Sequence, residues 1–315
     1  MTEKNKLLRL LLVTPHFEPD TAPTGLIFTA LVDRWNELGH QVHVVTSLPW
    51  YKDHGLDKER KNCFIEKAQK DLVKITRVYP FPFRKTNFFL RGVSFLAFSF
   101  LTTIVSLLTK GPFDAVISVS PPPTLGFVGK ISSIRHRCPL IFNIQDIFPD
   151  VAVDVGLLNS SFLINVSKRV EKNIYKNSDA LTVLSDEMKT NVSNKLSGRE
   201  NSGIVEVIPN FANSSFFIVP DKINNYRKKN GLGEKNVVMY AGNLGHSQPL
   251  ELIVEMAKKN QEKKDLVYVI NGGGVKYESL KKASMDLDNL VIVDYQPAEN
   301  LPFVLSAADI QLVLL

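Results

Sequence analysis

Apolar and polar positions along the chain fall into blocks of strand and helix length. Leu7–Thr14 is a continuous apolar run of buried-strand length. A loop from His16 to Gly25 follows, then a helical pattern from Leu26 to Leu38 that a glycine, Gly39, stops. Val42–Thr46 is the next strand, so the chain opens as a βαβ unit. Further strands are expected at Leu72–Tyr79, Ala115–Val119, Leu140–Ile144, Ala180–Leu184 and Val205–Ile208, with an amphipathic helix over Phe162–Tyr175. Ser47–Lys70 reads as a long polar excursion, and 212–236 as polar and irregular. From Val237 onward strands and helices alternate strictly, ending on the apolar run Ile310–Leu314. This predicts an α/β protein with two parallel-sheet domains, 1–208 and 237–315, joined by a connection over 209–236.

Gly92–Thr109 interrupts the alternation. It is free of charge, flanked by Arg91 and Lys110, and close in length to a membrane span. Strands are expected on both sides of it, and a single crossing would part them. Ser99, Thr102, Thr103 and Ser106 recur at helical spacing and make one weakly polar stripe on an apolar rod. Two readings stay open. One is a core helix. The other is a helix in the membrane interface, with Arg84, Lys85 and Arg91 as its cationic flank.

Composition narrows the classes. The chain has 315 residues, 44% hydrophobic and 22% charged, with a net charge of +6. That suits two folded domains and not a disordered chain. The excess lysines come in scattered pairs, which read either as solvated helix faces or as a surface for anionic membranes or phosphorylated ligands. No basic run interleaves with aromatics, so nucleic acid is not an expected partner. Cys63 and Cys138 lack metal or redox spacing and read as free thiols. The N-terminus has no signal-peptide pattern, and a cytoplasmic location is expected.

Candidate chemistry gathers at glycine turns and strand ends. Tyr240-Ala241-Gly242-Asn243-Leu244-Gly245 ends a strand just before a helix, an arrangement that offers backbone N–H groups to a phosphate. Pro23-Thr24-Gly25 holds the matching place in the first domain, and Gly272-Gly273-Gly274 ends the strand after the first turn. The opening βαβ unit has neither G-x-G-x-x-G nor an acidic residue ending its second strand, so no dinucleotide cofactor is expected. Asp146 and Asp150 sit beyond the carboxyl end of a parallel strand, where α/β sheets bind ligands. Asp150 fits a helix cap or turn equally well.

Several of these stretches together resemble the family 4 glycosyltransferases of the GT-B architecture, with two facing Rossmann-like domains. The likeness is carried in order by the opening strand with Pro23-Thr24-Gly25, Asn143-Ile144-Gln145-Asp146, Asp179–Ser185, Val207–Phe211, Tyr240–Leu244, the triple glycine and Ser306-Ala307-Ala308-Asp309-Ile310. The Gln145–Asp150 and Gly242–Gly245 versions look most like a branch with fucosamine transferases of bacterial surface-polysaccharide synthesis. The resemblance implies retaining transfer of a sugar from a nucleotide diphosphate sugar, UDP-linked, to a saccharide or lipid-linked acceptor. It implies no bound metal and no cofactor beyond the donor substrate. Thr24 and Gly25 would approach the donor from one side, and Gly242, Asn243, Gly245, Gln248 and Gly273 from the other. Asp146 is the first candidate for an acceptor-side base and His16 the second.

The chain departs from that pattern in three places. Asn243 and Gln248 stand where many members carry Arg and Lys against the diphosphate. Gln145 stands where a histidine often precedes the aspartate. Members of the family also continue past the Ala-Ala-Asp strand into a segment with two glutamates, so the sequence reads as C-terminally truncated, its second domain incomplete. A catalytically inactive fragment acting as a membrane- or partner-binding module is therefore the alternative, and a sugar-nucleotide epimerase a third reading.

Overall fold

A computed structural model describes residues 6–50, 55–56, 60–82, 88–154, 156, 158–196, 204–212, 221–245 and 248–314. The chain divides into two units, Met1–Phe211 and Ala212–Leu315.

In the first unit β1 (Arg9–Val13), α1 (Pro23–Glu37) and β2 (Gln41–Ser47) form the opening βαβ. Then come β3 (Ile65–Lys70), β4 (Val73–Val78), α2 (Phe88–Leu108), β5 (Ala115–Val119), α3 (Leu125–His136) and β6 (Leu140–Asn143). The unit closes with α4 (Asp150–Asp154), α5 (Ser161–Lys176), β7 (Ala180–Val183), α6 (Asp186–Leu196) and β8 (Ile204–Val207). The eight strands make one sheet, β3-β4-β2-β1-β5-β6-β7-β8. Only β3 runs antiparallel to its neighbour. Side chains alternate across β1. Leu10 and Leu12 pack with Phe28 and Val32 of α1, while Leu11 and Val13 pack with Phe98 and Val105 of α2 and Leu125 and Val128 of α3. Central strands buried on both faces are why the sequence shows unbroken apolar runs there.

β3 corrects the reading of Ser47–Lys70 as a polar excursion. It is an edge strand, Ile-Glu-Lys-Ala-Gln-Lys, exposed at five of its six positions. Its polarity is that of a strand with no covering layer, and lysines on an edge discourage further pairing.

α4, α5 and α6 are tied by one ion-pair cluster. Lys195 Nζ lies 2.7 Å from both Asp150 Oδ2 and Glu171 Oε1. Tyr175 donates its hydroxyl to Glu171 at 3.0 Å. Asp150 therefore has a structural partner where it opens α4.

The second unit holds α7 (Asn225–Lys229), β9 (Asn236–Asn243), α8 (Glu251–Lys259), β10 (Leu266–Gly273), α9 (Tyr277–Ala283), β11 (Leu290–Val293), α10 (Leu301–Ser306) and β12 (Ile310–Gln311). Its parallel sheet runs β11-β10-β9-β12. Val237 and Met239 face α7 and α10, and Val238 and Tyr240 face α8 and α9. The polar stretch read as a connection thus contributes a packed helix. Arg227 is fully buried, and its guanidinium donates to the carbonyls of Ala307, Gly233 and Lys235 and to Asp309 Oδ2. Asp309 also takes the Val237 N–H and pairs with Lys222. Burial opposes the Asp309 carboxylate, but Lys222, the Val237 N–H and Arg227 outweigh it and hold the group below its usual pKa.

Candidate active site

The parallel strands of the first unit bring their carboxyl ends to one edge. α1 begins at Pro23, not at Leu26 as expected from periodicity, so Thr24 and Gly25 form its first turn. Proline suits that position because its missing N–H would have no helical partner. No side chain caps this end and no acid lies in its first turn, which leaves it disposed toward an anion. Gly25 is buried where a Cβ would stand 3.1 Å from His16 Cβ and 3.2 Å from the Asp20 carbonyl. The turn is pressed against the β1 loop, and a side chain there would require that loop to shift by a few tenths of an ångström.

That loop carries a pair the periodicity does not show. His16 Nδ1 lies 2.8 Å from Asp20 Oδ2, and the Asp20 side chain is 2% exposed. The imidazole also meets the Trp50 ring, with centroids 5.8 Å apart. A buried carboxylate on Nδ1 fixes the ring's orientation and favours the tautomer with its acceptor on Nε2, the form a base needs.

Asp146 stands beyond β6, two strands along the sheet and so roughly 10 Å from the β1 line. The side chain is exposed, yet the neighbouring protein removes enough solvent to raise its carboxyl above the ordinary value. Gln145 beside it is fixed by a chain of amides. Asn210 Nδ2 donates to Gln145 Oε1 at 2.9 Å, Gln145 Nε2 to Asn143 Oδ1 at 2.7 Å, and Asn143 Nδ2 to Thr182 Oγ1 at 2.8 Å. The Gln145 N–H donates to Ser120 Oγ at 3.3 Å. The β6, β7 and β8 motifs therefore meet through one hydrogen-bonded row that holds the Asp146 turn.

In the second unit β9 and β10 end in register, Gly242 opposite Gly272 and Asn243 opposite Gly273. A Cβ on Gly272 would lie 1.9 Å from the Gly242 carbonyl oxygen. One on Gly274, with φ +150°, would lie 2.6 Å from that of Leu244. Those two glycines let the two turns touch, backbone on backbone. Leu244 donates its N–H to Gly273 O at 2.9 Å, and Lys276 N to Leu244 O at 3.0 Å. Gly242, Asn243, Gly245, Gln248 and Gly273 are thereby drawn to one end of the sheet. His246 and Ser247, between them, lie outside the described residues.

Lys276 is the residue that sequence reasoning missed. Its Nζ donates to the Gln248 carbonyl at 2.9 Å and pairs with Glu251 Oε1 at 2.9 Å. It brings a cation to a turn whose own side chains, Asn243 and Gln248, are neutral. Gln248 Oε1 is buried with no hydrogen-bond partner among the described residues. Lys276 lies 28 residues beyond Gln248, so only the pairing of β9 with β10 brings the two together. Among the described residues no three His, Cys, Asp or Glu side chains cluster as metal ligands.

Comparison with known proteins agrees with this architecture. Residues 25–210, more than half of the chain, match the family model of the glycosyl transferase 4-like domain, and residues 222–314 match that of glycosyl transferases group 1. A relative in Escherichia coli (strain K12), described as a colanic acid biosynthesis glycosyl transferase, WcaI, is 22% identical over 98% of this chain and 76% of its own length. Among solved structures, Anabaena Alr3699/HepE in complex with UDP and glucose aligns over 96% of this chain and 73% of its own, with TM-score 0.63 and 13% identity. Sucrose-phosphate synthase from Thermosynechococcus elongatus aligns over 96% and 74%, with TM-score 0.69 and 15% identity. The matched family models, the alternating βα order and the two parallel sheets agree: the chain belongs to the family 4 glycosyltransferases of the GT-B fold.

Proposed function

We propose that this glycosyltransferase moves a sugar from a UDP-sugar to a saccharide or lipid-linked acceptor in bacterial surface-polysaccharide synthesis. Transfer retains the anomeric configuration and needs no metal. The observation that carries the reading is the second unit's glycine turn with Lys276 beside it. As the bond between anomeric carbon and diphosphate breaks, negative charge grows on the leaving oxygen. Donors already aimed at that place stabilise it without reorganising. Here they are the Gly245 N–H, the Gln248 amide and the Lys276 ammonium. Lys276 answers the absence of cations at Asn243 and Gln248. The relative's role in colanic acid biosynthesis supports a polysaccharide acceptor, and the UDP held by Alr3699/HepE supports the nucleotide.

Asp146 and the His16–Asp20 pair are the acceptor-side groups. The acceptor hydroxyl bonds to the anomeric carbon and loses its proton, which Asp146 takes. Incubation with UDP-, GDP- and ADP-sugars and an oligosaccharide acceptor, followed by nuclear magnetic resonance of the product, tests the reading. The expected result is UDP release and an axial or equatorial product linkage matching the donor's. Asp146→Asn should lose at least about a hundredfold in kcat. Because Asp146 must be ionised and desolvation by the neighbouring protein raises its pKa, wild-type activity should begin to fall on acidification at a higher pH than an ordinary aspartate would give. Failure to cleave or transfer any of the three donors overturns the proposal.

A further inference from the structure

α2 buries a stripe of hydroxyl residues together with Phe98 and Val105. Its small hydroxyl residues face the core, with Ser94, Ser99, Thr102 and Ser106 all buried. Thr102 returns its hydroxyl to the Phe98 carbonyl and Thr109 to that of Val105, Ser94 donates to the Pro80 carbonyl, Ser99 meets Thr124, and the Ser106 hydroxyl is buried with no hydrogen-bond partner among the described residues. Its outward stripe is apolar: Val93, Leu96, Phe100, Ile104 and Leu108, of which Leu96, Phe100 and Leu108 are 61%, 70% and 76% exposed.

α3 lies alongside in the same layer. Ser99 Oγ meets Thr124 Oγ1 at 2.7 Å, and His136 Nε2 meets the Ser106 carbonyl at 3.3 Å, so the helices are joined near both ends. Its outward positions are Phe127, Lys130, Ile131, Ile134 and Arg135, spaced i, i+3, i+4, i+7, i+8 on one helix face. Two unpartnered apolar stripes thus lie side by side, the second set with cations. Along this stretch of sequence cations greatly outnumber acids. Between Pro80 and Pro139 there are seven Lys and Arg residues and one acid, Asp114, which is engaged by Lys6 and the Arg9 N–H.

We infer that the α2–α3 face docks on an anionic phospholipid bilayer, its apolar stripes entering the headgroup boundary and its cations meeting lipid phosphate. No helix among the described residues is long and apolar enough to cross a membrane, and the inward hydroxyls of α2 belong to the protein core. The protein would lie on the surface. A protein partner would be expected to answer the cations with matched acids, whereas an anionic bilayer answers them wherever they fall. The inference needs no sugar transfer, so it fails or holds separately from the proposed activity.

Co-sedimentation of the whole chain with vesicles of phosphatidylcholine, alone or mixed with phosphatidylglycerol, tests it. Binding is expected to the mixed vesicles, weakening at high salt. Phe100→Ser with Ile104→Ser and Leu108→Ser should lower it at least about tenfold, and Lys130→Glu with Arg135→Glu likewise. Circular dichroism checks that each variant is folded. The charge pair decides alone if the serine variant is not. No pelleting with either vesicle, or unchanged pelleting of the folded variants, overturns the inference. So does a result in which the substitutions alter only the protein's own oligomeric state by light scattering.

Discussion

Lys276 carries two opposed duties at the mouth of the second sheet. It reaches the Gln248 carbonyl at the turn, and it is paired with Glu251 in the first turn of α8. Lys276 is the main reason the Glu251 carboxyl lies below its usual range. A diphosphate arriving at the turn competes with Glu251 for the same ammonium. Lys276→Gln should therefore weaken UDP binding by about 10- to 100-fold, since a hydrogen bond to a charged group contributes roughly 1.5–3 kcal/mol. Glu251→Gln should tighten it, because the anionic competitor is removed. Calorimetric titration of both variants reads the two signs, and a loss in both would give Lys276 a purely structural role. Neither Lys276 nor Asp20 stands out in the sequence. A cation's neighbours come from strand pairing, and an Asp four residues from a loop histidine shows no periodicity.

At the scale of elements, legibility followed burial. β1 and β5 are covered on both faces and read as apolar runs, whereas β3, open to solvent on an edge, read as loop. α2 was visible as a helix, but not which side faces inward, because hydroxyls that bond back to their own helix can be buried. Phe98, paired by type with exposed Phe100, belongs to the core and is unsuitable as a membrane probe. Arg84, Lys85 and the Arg91 side chain, its expected cationic flank, lie outside what is described.

Two junctions between elements make predictions of their own. Lys195→Ala would leave Glu171, whose side chain is 3% exposed, as an unpaired buried charge among α4, α5 and α6. Urea unfolding should show a loss of about 3 kcal/mol, with Glu171→Gln in the same background restoring part of it. His43 joins β2 to β4 through Thr76 Oγ1 at 3.0 Å. Burial, then Lys74 and Lys67, lowers its pKa to about 4. The unfolded chain takes the proton near pH 6.5 and the native one does not. The stabilisation is whole above that pH and is lost as pH falls toward 4, up to about 3 kcal/mol. His43→Gln should flatten this part of the stability–pH curve; an unchanged slope would refute the assignment.

Across the whole molecule, the alternating βα order conveyed two parallel sheets, and the ordered motifs conveyed the family. The structure gives several of those motifs a framework role: Asp309 anchors Arg227, Asp179 accepts the Leu140 N–H at 2.7 Å, and Asn210 holds Gln145. Motif residues that brace the fold and motif residues placed for chemistry look alike in one sequence, because both are polar residues at strand ends. Only their partners separate them. The central claim is that the glycine turn of the second unit, with Lys276, receives a nucleotide diphosphate. Calorimetric titration of the protein with UDP and with uridine tests it most directly. UDP should bind at least about tenfold more tightly than uridine, the diphosphate supplying 1.4 kcal/mol or more. Equal binding of the two, or no binding of UDP, would contradict it.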